Sequence, residues 1–207
     1  MKKIVTLSLL LILTDLSYSQ RHRLANESVN TFITRLKPDN ASITNKIIET
    51  KWNNQPVIIA FYDQLYKLPK ESDPDQQDYH RIIGILFVEN SKNNYNRYII
   101  DTIDTEGGDP KIESIFFANC DKDKSKELLL IVSWNQVHYE VEGILYDTLV
   151  FDNILPPPNK NLMALEKINK KFEEECECSW SDGTSKVAKF KSAAAVKKEL
   201  VRLGYKQ

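Results

Sequence analysis

The sequence predicts an α+β fold, a mainly antiparallel meander sheet with flanking N-terminal and C-terminal helices. Three observations predict it. Between residues 81 and 151, runs rich in Ile, Val, Leu and aromatic residues succeed one another across connections too short for a crossover helix, so neighbouring strands pair antiparallel. Apolar residues at spacings of three and four stand before and after that block and describe helix faces. No repeat, low-complexity tract or linker divides the chain, so residues 20–207 are expected to form a single globular domain with a substantial core.

The chain opens MKKIVTLSLLLILTDLSYSQ. Lys2 and Lys3 are a basic start, residues 4–13 an apolar run, and Ser17 and Ser19 stand at small-residue spacing before Gln20. The run is about 10 residues long, against the roughly 20 that span a bilayer as a helix. Residues 1–19 are therefore expected to be a signal peptide and the mature chain to be periplasmic or secreted, with no integral membrane segment. The formal charge is −1 with both signs intermixed, and losing Lys2, Lys3 and Asp15 makes it one unit more negative. Such a balance gives no electrostatic basis for binding nucleic acid.

Leu24, Val29, Phe32, Ile33 and Leu36 predict a helix over residues 24–37, ended by Pro38. Residues 57–62 read as a strand from their β-branched and aromatic content, and residues 67–78, charged and proline-bearing, as a surface loop. Strands follow at 81–89, 95–103, 112–118 and 128–134, and a long one at 137–151 that bends near Gly143. Asn-rich steps at 90–94 turn one hairpin; Gly107, Gly108 and Pro110 make the next break. Pro156, Pro157 and Pro158 end the sheet. Leu162, Leu165, Ile168 and Phe172 predict a helix over 160–175, followed by a turn-rich connection at 176–186. Ser192 caps a final helix carrying Val196, Leu200 and Leu203, with Gly204 at its end.

Cys120, Cys176 and Cys178 are an odd set. Cys176 and Cys178 are too near in sequence to be expected partners. A disulfide, if one forms, is expected between Cys120 and either of them, and the fully reduced state is an equal alternative.

One constellation carries chemistry. Between two strands lies Asn119-Cys120-Asp121-Lys122-Asp123-Lys124-Ser125-Lys126-Glu127. Spacing of two lets Asn119, Asp121 and Asp123 point into a curled loop, Ser125 offers a carbonyl, and Glu127 closes the set with two oxygens. Calcium takes six to eight oxygen ligands of this kind. Lys122, Lys124 and Lys126 can instead neutralise the acids, leaving a solvated hairpin tip. Residues 115–128, Ile-Phe-Phe-Ala-Asn-x-Asp-x-Asp-x-x-x-Glu-Leu, resemble the strand, acidic loop, strand element of FG-GAP and related extracellular repeats. The resemblance implies weak calcium held by Asn119, Asp121, Asp123 and Glu127, with Asn119 in place of the usual aspartate and Lys124 in place of the turn glycine. The wider pattern is similar to secreted proteins of unassigned activity from Bacteroidetes-like bacteria.

Trp134, Gln136 and His138 share one strand face and could meet a ligand, with Tyr139 opposite and Glu140 following. Ser181-Asp182-Gly183 reads as a turn, and Cys-x-Cys lacks the spacing of thioredoxin-like sites. The chain has no nucleophile elbow and no glycine-rich phosphate loop. The expected function is a non-enzymatic module that binds an envelope or extracellular protein. The alternative is a hydrolase acting on envelope polymers through His138 and nearby acids.

Overall fold

The structure, a computed structural model, describes residues 21–172 and 174–207. The expected signal segment, residues 1–19, lies outside them. Helix α1 (Val29–Arg35) starts where the Ser28 hydroxyl accepts the Thr31 N–H, and it buries Phe32 and Ile33. Strands β1 (Ala41–Ile43) and β2 (Ile48–Trp52) lie end to end along one edge of β3 (Gln55–Tyr66). With β4 (Tyr79–Ser91) and β5 (Asn94–Ile103) they complete a five-stranded antiparallel sheet in the order β1-β3-β4-β5, with β2 beside β1 on β3. A second five-stranded antiparallel sheet follows: β6 (Pro110–Ala118), β7 (Glu127–His138), β8 (Val141–Phe151), β9 (Glu175–Trp180) and β10 (Ser185–Lys186), in spatial order β10-β9-β8-β7-β6. The short helix α2 (Glu166–Asn169) precedes β9, and α3 (Ala193–Arg202) closes the chain.

The meander is thus shared between two sheets. The crossing falls at residues 104–109, where Gly107 takes φ +72° and a side chain at Gly108 would collide with the Asn135 carbonyl. Only a bare backbone fits that close approach. Alternate residues Val57, Ile59 and Phe61 of β3 meet Leu128, Leu130 and Val132 of β7 in one core between the sheets. The intervening residues Ile58, Ala60 and Tyr62 pack under α1, and Leu129 and Ile131 pack under Val196 and Leu200 of α3. The order of layers is helix, sheet, sheet, helix. Strands buried on both faces read as unbroken apolar runs, which is how VIIAFY and LLLIV are written.

The connection expected at 176–186 holds β9 and β10, and the helix expected from residue 24 begins at Val29. Three further expectations are corrected. Residues 160–175 are not one helix. Residues 159–162 run along the outer edge of β5: Asn159 donates its N–H to the Arg97 carbonyl at 2.7 Å, Ile99 to Lys160 at 3.0 Å, and Leu162 to Ile99 at 2.7 Å. The chain then returns to β8, where Asp152 donates to Met163 and Leu165 to Val150, both at 2.8 Å. Two strand edges that need partners outweigh a modest helix preference. Residues 137–151 are not one strand either, because the turn falls at Tyr139 and Glu140, between β7 and β8. Third, Cys176 and Cys178 are bonded to each other, and Cys120 is a buried free thiol. Cys176 and Cys178 pair with Leu145 and Gly143, on the face toward the inter-sheet core, while Cys120 packs on the opposite face with Ala118 and Leu129. The sheet itself separates Cys120 from them.

Ser192 caps α3 and Gly204, at φ +97°, follows its end, as the sequence predicts. Among the described residues no helix is long and apolar enough to cross a membrane.

Candidate functional site

Strand β6 ends at Ala118 and β7 begins at Glu127, and the loop between them folds onto its own side chains. Asn119 Oδ1 accepts the Asp121 N–H at 3.2 Å, Asp121 Oδ1 accepts the Asp123 N–H at 2.7 Å, and Asp123 Oδ1 accepts the Ser125 N–H at 2.6 Å. Each bond turns the backbone around the preceding side chain, so spacing of two becomes a curl. Asn119 Nδ2 also donates to the Asp123 carbonyl at 2.9 Å. The outcome is that carboxylate oxygens of Asp121, Asp123 and Glu127 all lie within 4.8 Å of one another.

Glu127 is the anchor. It has no exposed surface. One of its oxygens accepts the Cys120 N–H and the other accepts Asn153 Nδ2 at 3.0 Å; the same amide lies 3.4 Å from Asp123 Oδ2. Burial pushes the Glu127 carboxyl above its ordinary range, the Asn153 and Cys120 donors pull against that, and neighbouring Asp121 adds to it. A cation would relieve both causes of the rise.

The loop is also held from the first sheet. Asn53, in the β2–β3 turn, donates to the Lys126 carbonyl at 3.0 Å and accepts the Lys126 N–H at 2.9 Å, while the Trp52 indole N–H donates to the same carbonyl. Trp52 stacks on Phe117 with ring centroids 5.7 Å apart. Lys124 stands where the resemblance has glycine, yet it is not among the residues with positive φ. The loop therefore avoids left-handed strain there.

No family model, curated protein or solved structure matches this chain. The site is read from its own geometry.

Of the five loop residues expected as ligands, Asp121, Asp123 and Glu127 are brought together. The side chain of Asn119 and the N–H of Ser125 are engaged in the loop's own hydrogen bonds. The Trp134 group has other tasks. The Trp134 indole donates to the Asp104 carbonyl at 2.9 Å and Gln136 Nε2 to the Glu106 carbonyl at 2.6 Å, which fastens the crossing segment to β7. His138, Tyr139 and Glu140 are exposed at the β7–β8 turn. Asp182 accepts the Thr184 N–H at 2.9 Å in the turn containing Ser181.

Sequence reasoning missed Asp101 and Asp147. Asp101 pairs with Gly84 and Asp147 with Val132, so both face the space between the sheets. Each accepts the N–H of the next residue, at 2.8 and 2.7 Å. A cavity of about 240 Å³ lies there, walled by Asp101, Trp134, Leu149 and Glu174. Burial pushes both aspartates above the usual carboxylate range, and for Asp101 the nearby Asp104 and Asp147 add to it. The available signal was parity: Asp147 falls between Leu145 and Leu149, both inward-facing residues.

Proposed function

We propose that the chain is exported with removal of residues 1–19, and that residues 20–207 are a non-enzymatic periplasmic or secreted module that binds an envelope or extracellular component. In this reading the loop at 119–127 takes calcium weakly. The observation that carries it is the convergence of Asp121, Asp123 and Glu127 on a buried carboxylate at the junction of the two sheets. Three carboxylates, with backbone carbonyls and water filling the remaining positions, fit an ion that favours oxygen ligands and tolerates irregular geometry. Lys122, Lys124 and Lys126 border the same cleft and set the affinity in the millimolar range by repelling the ion.

The hydrolase alternative depends on His138, which stands exposed among exposed neighbours at a hairpin tip. Catalytic acids and bases work where walls exclude water, so the binding-module reading is preferred.

Two measurements test the proposal. Calcium should raise the melting temperature of residues 20–207 more than magnesium does, and Asp121→Ala should abolish the rise. An unchanged melting curve across the calcium titration would remove the cation reading. The intact mass of material exported by the native host should begin at Gln20, and retention of residues 1–19 would remove the export reading.

A further inference from the structure

A cleft of about 360 Å³ opens between the β2–β3 hairpin, the end of the β4–β5 hairpin and the segment after β8. That is within the range of small-ligand sites, roughly 300–1,000 Å³. Its floor is apolar, made by Trp52, Tyr98 and Leu155. Its rim is polar and almost uncharged, made by Gln55, Glu89, Asn96 and Asn153.

Each rim side chain spends one polar atom on the protein and keeps another. Gln55 Nε2 donates to the Glu89 carbonyl, which leaves its Oε1. Asn96 Oδ1 accepts Asn90 Nδ2 at 2.9 Å, which leaves its Nδ2. Asn153 Nδ2 is spent on Glu127 at 3.0 Å, which leaves its Oδ1. Glu89 Oε1 accepts the Asn93 N–H at 2.8 Å, which leaves its second oxygen. Tyr98 is only 5% exposed, and among the described residues its hydroxyl has no hydrogen-bond partner. Since no buried polar side-chain atom among the described residues lacks a partner, this hydroxyl reaches solvent at the cleft wall, where a ligand or water can meet it.

The chemistry selects the ligand. Among the described residues no Lys or Arg lines the cleft, so it does not suit phosphate or carboxylate ligands. One carboxylate already bonded to backbone is poor provision for a cation. Amide side chains held by one end present a donor here and an acceptor there, which matches neighbouring hydroxyls that each donate and accept. The narrow strip of apolar floor left by Trp52 and Tyr98, each 5% exposed, and by half-buried Leu155 can meet the C–H edge of a pyranose. We propose that this cleft binds a neutral saccharide, the ring lying on the Tyr98 side of the floor and its hydroxyls meeting Gln55, Asn96 and Asn153. The inference rests on the binding-module reading and names its ligand class.

Asn153 joins the cleft to the acidic loop, since its amide holds Glu127 and approaches Asp123. Asn53 also lines the cleft and clamps Lys126. A cation that fixes Glu127 therefore fixes Asn153, and linkage makes the two binding events favour each other equally.

The test uses residues 20–207 with methyl glycosides of glucose, galactose, mannose and N-acetylglucosamine, and with short neutral oligosaccharides of each. Saturation-transfer NMR detects contact and calorimetry measures affinity, in calcium and in chelator. At least one neutral sugar is expected to bind, tenfold or more weaker in Asn96→Ala and in Gln55→Ala, with affinity falling on chelation. Gln55 is exposed and its side chain bonds only the Glu89 carbonyl, so Gln55→Ala keeps the test open if Asn96→Ala does not fold. Absence of saturation transfer from every sugar overturns the proposal, as does binding that survives both substitutions or a preference for anionic sugars or peptides at this cleft. Failure here with calcium-dependent melting intact removes only the saccharide site. Sugar binding without any calcium response removes the cation reading instead.

Discussion

Replacing Glu127 by Gln removes one charge from a side chain with no exposed surface and leaves its shape unchanged. Without calcium, the buried carboxylate is held against its desolvation and against neighbouring Asp121 by two donors, the Cys120 N–H and Asn153 Nδ2. Glutamine still offers an oxygen to Cys120, and its amide can donate to the Asp123 carboxylate or to a turned Asn153. The folded-state pKa of Glu127 lies above its unfolded value, so the native state holds this proton more tightly. The group's contribution to stability is greatest below about pH 4.5, the ordinary value of a glutamate carboxyl, and it falls as pH rises through the raised folded value. In chelator at pH 7 the variant should therefore melt at or above the unchanged protein, and the gap should close on acidification. Calcium reverses the order. With a dissociation constant of about 1 mM, roughly 10 mM calcium adds about 1.4 kcal/mol by mass action. For a domain of this size that is roughly 3–6 °C in melting temperature. The variant, lacking the closing carboxylate, should gain almost none of it. Melting curves followed by circular dichroism, in chelator and in calcium, read both effects on one sample. A variant that melts well below the unchanged protein in chelator at every pH would refute the reasoning, because Glu127 would then be needed as a hydrogen-bond acceptor alone. A variant that keeps the full calcium rise would refute it equally.

Asp147→Asn should raise stability to urea at pH 7, since burial holds this carboxyl above its ordinary value, and the advantage should fade as pH falls toward 3.8. An unchanged midpoint at pH 7 would mean that the Asp147 carboxylate is well solvated. Phe32→Ala removes a ring with no exposed surface that lies 5.8 Å from Phe87 and 5.1 Å from Tyr95, centroid to centroid. A loss of about 3–5 kcal/mol in equilibrium unfolding is expected, and a loss below about 1 kcal/mol would show that α1 adds little to the first sheet. Asn53→Ala loses a residue at φ +48° and both bonds to Lys126. Strain of about 1–2 kcal/mol and the lost bonds should lower the melting temperature and weaken calcium binding together; lowering only one of the two would separate the hairpin from the loop.

Periodicity made the long strands and the terminal helices legible. The runs at 57–62, 81–89, 95–103, 112–118 and 128–134 all lie inside observed strands, and Ser192 and Gly204 bound α3. What periodicity lacks is the identity of the partner. Leu162, Leu165, Ile168 and Phe172 have helical spacing, but Leu162 is claimed by β5 and Leu165 by β8 before a helix can extend. The strand 175–180 was hidden because Glu-Cys-Glu-Cys reads as a charged helix end and its burial does not alternate: Glu175 and Cys178, on opposite faces, are buried, and Cys176 and Glu177 between them are half-buried. The division into two sheets turns on Gly107 and Gly108, which the sequence marks as a break without stating which way the chain leaves. At the site, spacing alone brought out Asp121, Asp123 and Glu127. Asn53 and Asn153, distant in sequence and bonded to that loop, could be found only in three dimensions. The same holds for the cleft, whose walls come from four separate segments.

The strip at 159–162 along β5 bears on the order of events during synthesis. Residues 41–103 contain every strand of the first sheet, so that sheet can assemble while the rest of the chain is still being made. Among the described residues, its β5 margin is covered at one end by residues 21–23, through the Arg21–Tyr95 and Arg23–Asn93 bonds, and further along by residues 159–162. Until those residues emerge, a row of backbone donors and acceptors faces outward and can template pairing with another nascent chain. The three prolines at 156–158 immediately precede the covering strip. They lack the N–H needed to extend a ladder, so the strip meets β5 over a short, bounded stretch.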